Sequence, residues 1–351
     1  MTIFDLLTML VGLSLFLYGM HVMGEGLSRA AGGRMEQILE KMTSSPAKAV
    51  LVGAGVTAVI QSSSAATVMV VGFVDAGILK LSQAVGVIMG ANIGTTVTSW
   101  LLGLAEIDAP LTVTRLVNPL SFSLVLAIVG LILQLFSSKD KYRNLASVLL
   151  GFALLMLGMD AMSGAATPLA GRPEFAGILT RFAHPVWGML AGLLLTAVIQ
   201  SSSACLGILQ ALCVTKAISY GTALPIIMGQ NVGTCVTAIL AALGAGKNAK
   251  RAALVHLYFN LIGTMVFMAV FYAVNALHPL AFLSEAASGL GIAFCHSAFN
   301  VGATLLLLPF SKGLVRLACL TVREDASPGI WKRLLGIYGR IFLFFIGGGD
   351  F

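Results

Sequence analysis

The chain has 351 residues, of which 58% are hydrophobic and 10% are charged, and its mean hydropathy is +0.96. Soluble domains carry about 25% charged residues, so this composition excludes a water-soluble globular protein and indicates an integral membrane protein. The net charge of +7 does not indicate nucleic-acid binding, because the basic residues are spread over the segments between apolar stretches.

Nine apolar stretches follow one another, near residues 3–23, 47–74, 81–104, 116–136, 145–163, 186–214, 218–243, 252–277 and 289–309. The first is expected to remain as a membrane span, because no Lys or Arg precedes it as in a secretory signal. Residues 25–48 have mixed charges and a helical apolar spacing, which predicts an amphipathic helix on the cytoplasmic surface. Residues 164–185, with three prolines, are predicted to form an external loop.

The chain contains an internal repeat. Nine residues, Thr57 to Ala65, recur letter for letter as Thr196 to Ala204, at an offset of 139. The same offset aligns Gly90 to Thr95 with Gly229 to Thr234. The predicted organisation is repeat 1 at 1–138, a cytoplasmic linker at 139–144, repeat 2 with a final span at 145–310, and a cytoplasmic tail at 311–351.

Each repeat carries the tetrad Gln-Ser-Ser-Ser in the middle of its second apolar stretch, which permits two topologies. If the stretch crosses the membrane, each repeat has four crossings and the repeats are parallel. If it returns as a re-entrant hairpin, each has three crossings and the repeats are inverted. The Lys and Arg count on the two sides, sixteen to five or seventeen to four, does not decide between them.

The polarity of the tetrads favours the hairpins, because four adjacent polar residues facing lipid would be costly, whereas a hairpin tip lines a cavity. We therefore predict an all-α integral membrane fold of two inverted repeats, each with a re-entrant hairpin carrying the tetrad, and about seven full spans. Both topologies place the N-terminus outside and the tail in the cytoplasm.

The tetrads offer hydroxyl and amide groups that can bind an oxyanion and a hard cation such as sodium. No Arg or Lys lies between residues 49 and 79 or between 182 and 215, so an anion would depend on helix dipoles and a co-bound cation. The predicted anion-binding residues are Gln61, Ser62, Ser63, Ser64, Gln200, Ser201, Ser202 and Ser203.

Two further motifs accompany the tetrads. The segments Gly90 to Thr95 and Gly229 to Thr234 are predicted to interrupt their helices and free carbonyl groups for a cation, with packing of small residues as the alternative. The sequence His-x-x-Phe-Asn occurs twice, which places a histidine and an asparagine one helical turn apart. These residues are predicted to support the hairpins: His256, Asn260, His296 and Asn300.

Paired Gln-Ser-Ser-Ser motifs, each followed by Gly-x-Asn-Ile/Val-Gly-Thr, resemble the type II sodium–phosphate cotransporter family, including its bacterial branch. The resemblance covers about residues 5–312 and implies inverted repeats whose serine motifs bind inorganic phosphate and sodium. It implies these sodium ligands: Ser63, Ser64, Asn92, Thr95, Gln200, Ser202, Asn231 and Thr234.

The function predicted from the sequence is therefore sodium-coupled phosphate symport across a bacterial plasma membrane, without a further cofactor. The alternatives are transport of arsenate or sulfate, and a non-transporting scaffold or receptor. An enzyme with a serine nucleophile is disfavoured, because no Gly-x-Ser-x-Gly elbow surrounds either tetrad. Two further candidate partners are a second copy of the chain, as a homodimer, and a separate regulator resembling PhoU.

Overall fold

A computed structural model describes residues 3–30, 45–104, 119–167 and 181–323. Over these ranges the chain is almost entirely helical and forms no β-strand. The helices are α1 (Ile3–Ala30), α2 (Pro46–Ile60), α3 (Ser63–Asp75), α4 (Leu81–Leu104), α5 (Pro119–Phe136), α6 (Asp140–Ala166), α7 (Pro185–Ile199), α8 (Ser202–Cys213), α9 (Tyr220–Ala241), α10 (Lys247–Leu277), α11 (Gly289–Leu307) and α12 (Ser311–Thr321).

Six helical segments of the described ranges are long and apolar enough to cross a membrane: 4–30, 81–104, 140–166, 220–241, 247–277 and 289–321. The protein is therefore a multi-pass membrane protein. The seventh predicted span, near 116–136, corresponds to α5, which is helical over Pro119–Phe136. The predicted surface helix at 25–48 falls mainly on residues 31–44, which lie outside the described ranges, as does most of the external loop at 164–185.

The predicted linker and tail both contain helix in the described ranges. The helix α6 begins at Asp140, so the five linker residues that follow Lys139 belong to this helix. In the tail, α12 packs against α10, where the hydroxyls of Tyr258 and Thr321 lie 2.7 Å apart. The remaining tail residues, from 324 onwards, lie outside the described ranges.

Glycines bring equivalent pairs of helices into close contact. Within the first repeat, Gly90 of α4 lies against Val50 of α2, and Gly94 lies one turn further against Ala54, so α2 and α4 run parallel. In the second repeat, Gly229 and Gly233 of α9 make the matching contacts with the backbone of α7. Contacts this close require small residues, as is common between membrane helices.

The prediction that these Gly-x-Asn segments interrupt their helices is wrong. Both α4 and α9 continue through the motif without a break, from Leu81 to Leu104 and from Tyr220 to Ala241. The glycines allow a neighbouring backbone to approach closely. They do not change the direction of the helix, which continues through the motif. The packing alternative is therefore the one that the structure supports.

The two repeats interlock. The helices α1 and α6 pack along each other, with Gly12 against Gly158 and Gly19 against Gly151, so they run antiparallel. The helix α3 of repeat 1 packs against α9 and α10 of repeat 2, and α8 of repeat 2 packs against α4 of repeat 1. The helices that follow the breaks at residues 61 and 200, α3 and α8, thereby each pack against the other repeat.

The glycine contact between α2 and α4 predicts a stability effect. A methyl group at Gly90 would overlap the carbonyl oxygen of Val50, whereas a methyl group at Gly55 of α2 would meet no atom within 4 Å. We expect Gly90→Ala to lower the free energy of unfolding by about 1–3 kcal/mol through overpacking. The matched control, Gly55→Ala, should leave stability unchanged or raise it by up to about 1 kcal/mol. Thermal unfolding in detergent checks both, and equal melting temperatures would contradict the packing role.

Candidate binding site at the two helix breaks

The two tetrads begin at helix breaks of the same geometry. Gln61 ends α2 with φ 58° and ψ 23°, and Gln200 ends α7 with φ 59° and ψ 21°. This left-handed conformation is uncommon for residues other than glycine. The amide N–H of Gln61 donates to the carbonyl of Thr57 at 2.8 Å, and that of Gln200 donates to Thr196 at 2.7 Å. The two halves therefore end their helices in the same way.

The first serine of each tetrad starts the next helix. Ser62 and Ser201 are extended, and their hydroxyls accept from the N–H groups of Ala65 at 3.1 Å and Ala204 at 3.2 Å. These are N-cap bonds, which favour a helix start at the residue that follows. Because the first N–H groups of a helix have no partner within it, α3 and α8 each present a positive dipole end at the break.

The two breaks meet around one small cavity of about 60 Å³. Its lining consists of Met20 and all eight tetrad residues: Gln61, Ser62, Ser63, Ser64, Gln200, Ser201, Ser202 and Ser203. A direct hydrogen bond joins the halves, from the hydroxyl of Ser64 to the carbonyl of Gln200 at 3.3 Å. Ser63, Ser202 and Ser203 are buried. The eight residues predicted to bind an anion are thus brought together at one place.

Both polar atoms of the Gln61 side chain make hydrogen bonds. Its amide nitrogen donates to the carbonyl of Ala58, and its oxygen accepts from the hydroxyl of Thr98 at 2.9 Å. Thr98 lies on α4 and is buried, so it ties the first break to the helix that packs beside it. Neither Thr98 nor Met20 is among the residues predicted from the sequence. A signal for Met20 was available, since Gly19-Met20 recurs as Gly158-Met159 at the repeat offset.

A second polar cluster lies among α4, α9, α10 and α11. The amide of Asn92 donates to the oxygen of Asn260 at 2.6 Å, and the amide of Asn231 donates to that of Asn300 at 2.8 Å. All four asparagines are buried. Thus Asn260 and Asn300, predicted to support the hairpins, bond to the Gly-x-Asn segments of α4 and α9, which in turn pack against α2 and α7.

The two histidines of this cluster differ. His296 bridges the hydroxyl of Ser99, 2.7 Å from Nδ1, and the side-chain oxygen of Asn231, 3.3 Å from Nε2. Neither ring nitrogen of the fully buried His256 has a hydrogen-bond partner within the described ranges. The repeat explains the difference in part, because Ala238 stands at the position equivalent to Ser99 and carries no hydroxyl.

The residues expected to bind sodium fall into two groups. Ser63, Ser64, Gln200 and Ser202 line the cavity between the breaks. The others do not line it: Asn92, Thr95, Asn231 and Thr234. The hydroxyls of Thr95 and Thr234 donate to carbonyls one turn back in their own helices, at 3.0 and 2.9 Å. Their remaining lone pairs can still accept a donor or a cation.

Paired helix breaks that present dipole ends and hydroxyls to a shared cavity inside a multi-pass protein are typical of membrane transport proteins. The sequence matches the Na+/Pi-cotransporter family over residues 15–164 and 166–296. The chain therefore belongs to the Na+/Pi-cotransporter family, which confirms the resemblance drawn from the motifs. This is a family of transporters and not of enzymes.

Relatives are similar over most of the chain or over part of it. The uncharacterized protein YqeW of Bacillus subtilis is 30% identical over 88% of this chain and 95% of its own length. The putative inorganic phosphate export protein YjbB of Salmonella typhimurium is 27% identical over 91% of this chain, which spans 56% of YjbB. The sodium-dependent phosphate transport protein 2A of Oryctolagus cuniculus is 35% identical over 30% of this chain and 17% of its own length. No solved structure matches the chain significantly.

The different hydrogen bonding of His256 and His296 predicts different coupling energies between each histidine and its neighbouring asparagine. In a double-mutant cycle, Asn231→Ala and His296→Ala should be coupled by about 0.5–3 kcal/mol, because each removes the partner of the other. The matched cycle of Asn92→Ala and His256→Ala should give a coupling smaller by about 0.5 kcal/mol or more, because no hydrogen bond joins His256 to Asn92. Unfolding in detergent measures both cycles. Equal couplings would contradict the assignment of the bonds.

Proposed function

We propose that this protein transports inorganic phosphate coupled to sodium, and that both solutes bind in the cavity between the two helix breaks. The observation that carries the proposal is that all eight tetrad residues line one cavity. Membership of the Na+/Pi-cotransporter family and the phosphate named in two of the relatives support the substrate.

The lining chemistry supports an anion. Five of the six lining serines can donate a hydroxyl to phosphate oxygens, since the hydroxyl of Ser64 donates to Gln200. The N-termini of α3 and α8 add partial positive charge at the same place. Neither Lys nor Arg is among the described residues that line the cavity, so a bare anion would lack a full countercharge. A co-bound sodium ion supplies that charge, which is the physical reason to couple the two solutes.

Sodium binding is assigned first to the oxygens of Ser63, Ser64, Gln200 and Ser202, because they line the cavity. Hydroxyl and carbonyl oxygens are the ligands that hard cations prefer. Asn92, Thr95, Asn231 and Thr234 are proposed to contribute to a sodium position on α4 and α9. Their side chains lie in buried helix segments that pack against the helices preceding each break.

The proposal includes the inverted-repeat topology. Antiparallel packing of α1 and α6, which occupy equivalent places in the repeats, supports inversion. The helices α2 and α3 have 15 and 13 residues, about 23 and 20 Å, so neither spans a hydrocarbon core of about 30 Å alone. Since α2 runs parallel to α4 and only five residues join α3 to α4, the chain reverses at Gln61, as in a re-entrant hairpin.

The domain boundaries given above, an outside N-terminus, a cytoplasmic tail and a bacterial plasma membrane complete the proposal. They are supported by the distribution of Lys and Arg along the sequence. A homodimer and a separate regulator resembling PhoU stay predictions from the sequence.

The test is phosphate transport by purified protein in liposomes. We expect uptake of radiolabelled phosphate under an inward sodium gradient, little uptake with potassium, and efflux when the gradient is reversed. Ser63→Ala and Ser202→Ala should each weaken the apparent affinity for phosphate roughly tenfold or more, because each removes a hydrogen bond to a charged ligand. Ser14→Ala, whose hydroxyl bonds its own helix at Leu10, is the control with normal uptake.

Competition separates phosphate from other oxyanions. Arsenate or sulfate that displaces phosphate completely at lower concentration would move the substrate assignment to that anion. Folded protein without sodium-dependent flux of any of the three would overturn the proposal and leave a non-transporting scaffold.

The bond between Thr98 and Gln61 predicts a milder effect. Thr98→Val keeps the shape of the side chain and removes the hydroxyl that holds the Gln61 oxygen. Loss of one neutral hydrogen bond costs about 0.5–1.5 kcal/mol, so the apparent affinity for phosphate or sodium should fall roughly 2–10-fold. Thr98→Ser keeps the donor and should retain the affinity of the unmodified protein. Uptake measured over a range of both solutes checks this, and equal affinities of the two variants would contradict it.

A further inference from the structure

A larger pocket of about 360 Å³ adjoins the tetrad cavity. One wall is the face of α1 from Leu17 to Ser28, and its floor is the first helix break. Three residues line both the pocket and the cavity: Met20, Gln61 and Ser62. At 1.5 Å per residue, the α1 wall extends over about 16 Å along the helix.

The outer end of this wall carries charges. Nε2 of His21 lies 3.2 Å from the carboxylate of Glu25, and the guanidinium of Arg29 lies 2.5 Å from the same carboxylate. All three side chains are exposed, by 67%, 46% and 60%. Charged groups facing hydrocarbon are costly, so this end of the pocket belongs at a water-facing level. The deep end, at Leu17 and Met20, is apolar.

The side chain of Met20 stands between the pocket and the cavity. Methionine is unbranched and flexible, so it can move aside at little cost. Its counterpart in the second repeat, Met159, is only 3% exposed and lines neither space. The pocket along α1 therefore reaches the tetrad cavity at Met20, whereas the counterpart of Met20 in the second repeat lines neither space.

We propose that the pocket along α1 is the access route by which water and solutes reach the tetrad cavity from one side of the membrane, and that Met20 closes it. The identity of the solutes rests on the phosphate transport proposed above. His21 and Glu25 line the mouth, and Arg29 pairs with Glu25. These polar side chains keep this end hydrated, so dissolved ions can approach it. In the topology proposed above, this mouth opens to the cytoplasm.

Cysteine labelling tests the route. Met20→Cys is treated with a positively charged, membrane-impermeant methanethiosulfonate reagent applied to each side of proteoliposomes in turn. The five native cysteines line neither space, and the unmodified protein gives the background. The matched control is Tyr18→Cys, two residues away on α1, where Tyr18 is 60% exposed but lines neither space.

We expect Met20→Cys to react roughly 100-fold faster than Tyr18→Cys and from the cytoplasmic side only, because a charged reagent is excluded from hydrocarbon. Modification of Met20→Cys should abolish phosphate uptake, and phosphate with sodium should slow the reaction. Modification of the Tyr18→Cys sample should leave uptake normal. Leu17→Cys, on the pocket wall, is a second variant and should also react faster than Tyr18→Cys.

Two results would overturn the route: Met20→Cys and Leu17→Cys both reacting as slowly as Tyr18→Cys in folded protein, or modified Met20→Cys transporting normally. Failure of the proposed function is distinguishable. If the unmodified protein shows no phosphate uptake, the comparison of labelling rates still decides whether the pocket is a hydrated route to the cavity.

Discussion

Backbone hydrogen bonding at the two helix breaks is the constraint on which the site depends. Inside a membrane protein, each backbone polar group has to find a partner in the protein or in a water-filled cavity. At each break the chain leaves one helix and starts another within two residues, Gln61-Ser62 and Gln200-Ser201. The left-handed glutamine bonds back to the helix before it, and the serine caps the helix after it. The N–H groups that remain at the helix starts are the ones available to a ligand.

Close packing by glycine holds those breaks in place. Because α2 and α4, and likewise α7 and α9, touch backbone to backbone, little room is left for either break to shift relative to its neighbour. The asparagine pairs Asn92–Asn260 and Asn231–Asn300 then connect the same helices to α10 and α11. The glycines thus determine how closely the paired helices approach, and the buried asparagine amides determine which further helices they contact.

The sequence alone was sufficient to predict the repeat, the helical membrane class and the residues that come together at the cavity. The tetrads could be recognised because nine identical residues in a row indicate an internal repeat. The role of Gly90 and Gly94 was not visible, because a glycine that permits close packing and a glycine that breaks a helix look alike without the neighbouring backbone. Partners distant in sequence were also out of reach: Thr98 for Gln61, and Ser99 for His296. The substitution of Ala238 at the place equivalent to Ser99 did carry a signal that the histidines differ.

The backbone at Gln61 and Gln200 has a consequence for engineering. A left-handed conformation costs an ordinary residue about 1–2 kcal/mol, whereas glycine adopts it freely. Local conformational preference therefore does not explain why glutamine stands at either position. The side chains offer an explanation, because both line the cavity and that of Gln61 also bonds Ala58 and Thr98. Relief of backbone strain alone would favour glycine at both places. Because both glutamines line the cavity, screens for thermostable variants should leave these two positions unchanged.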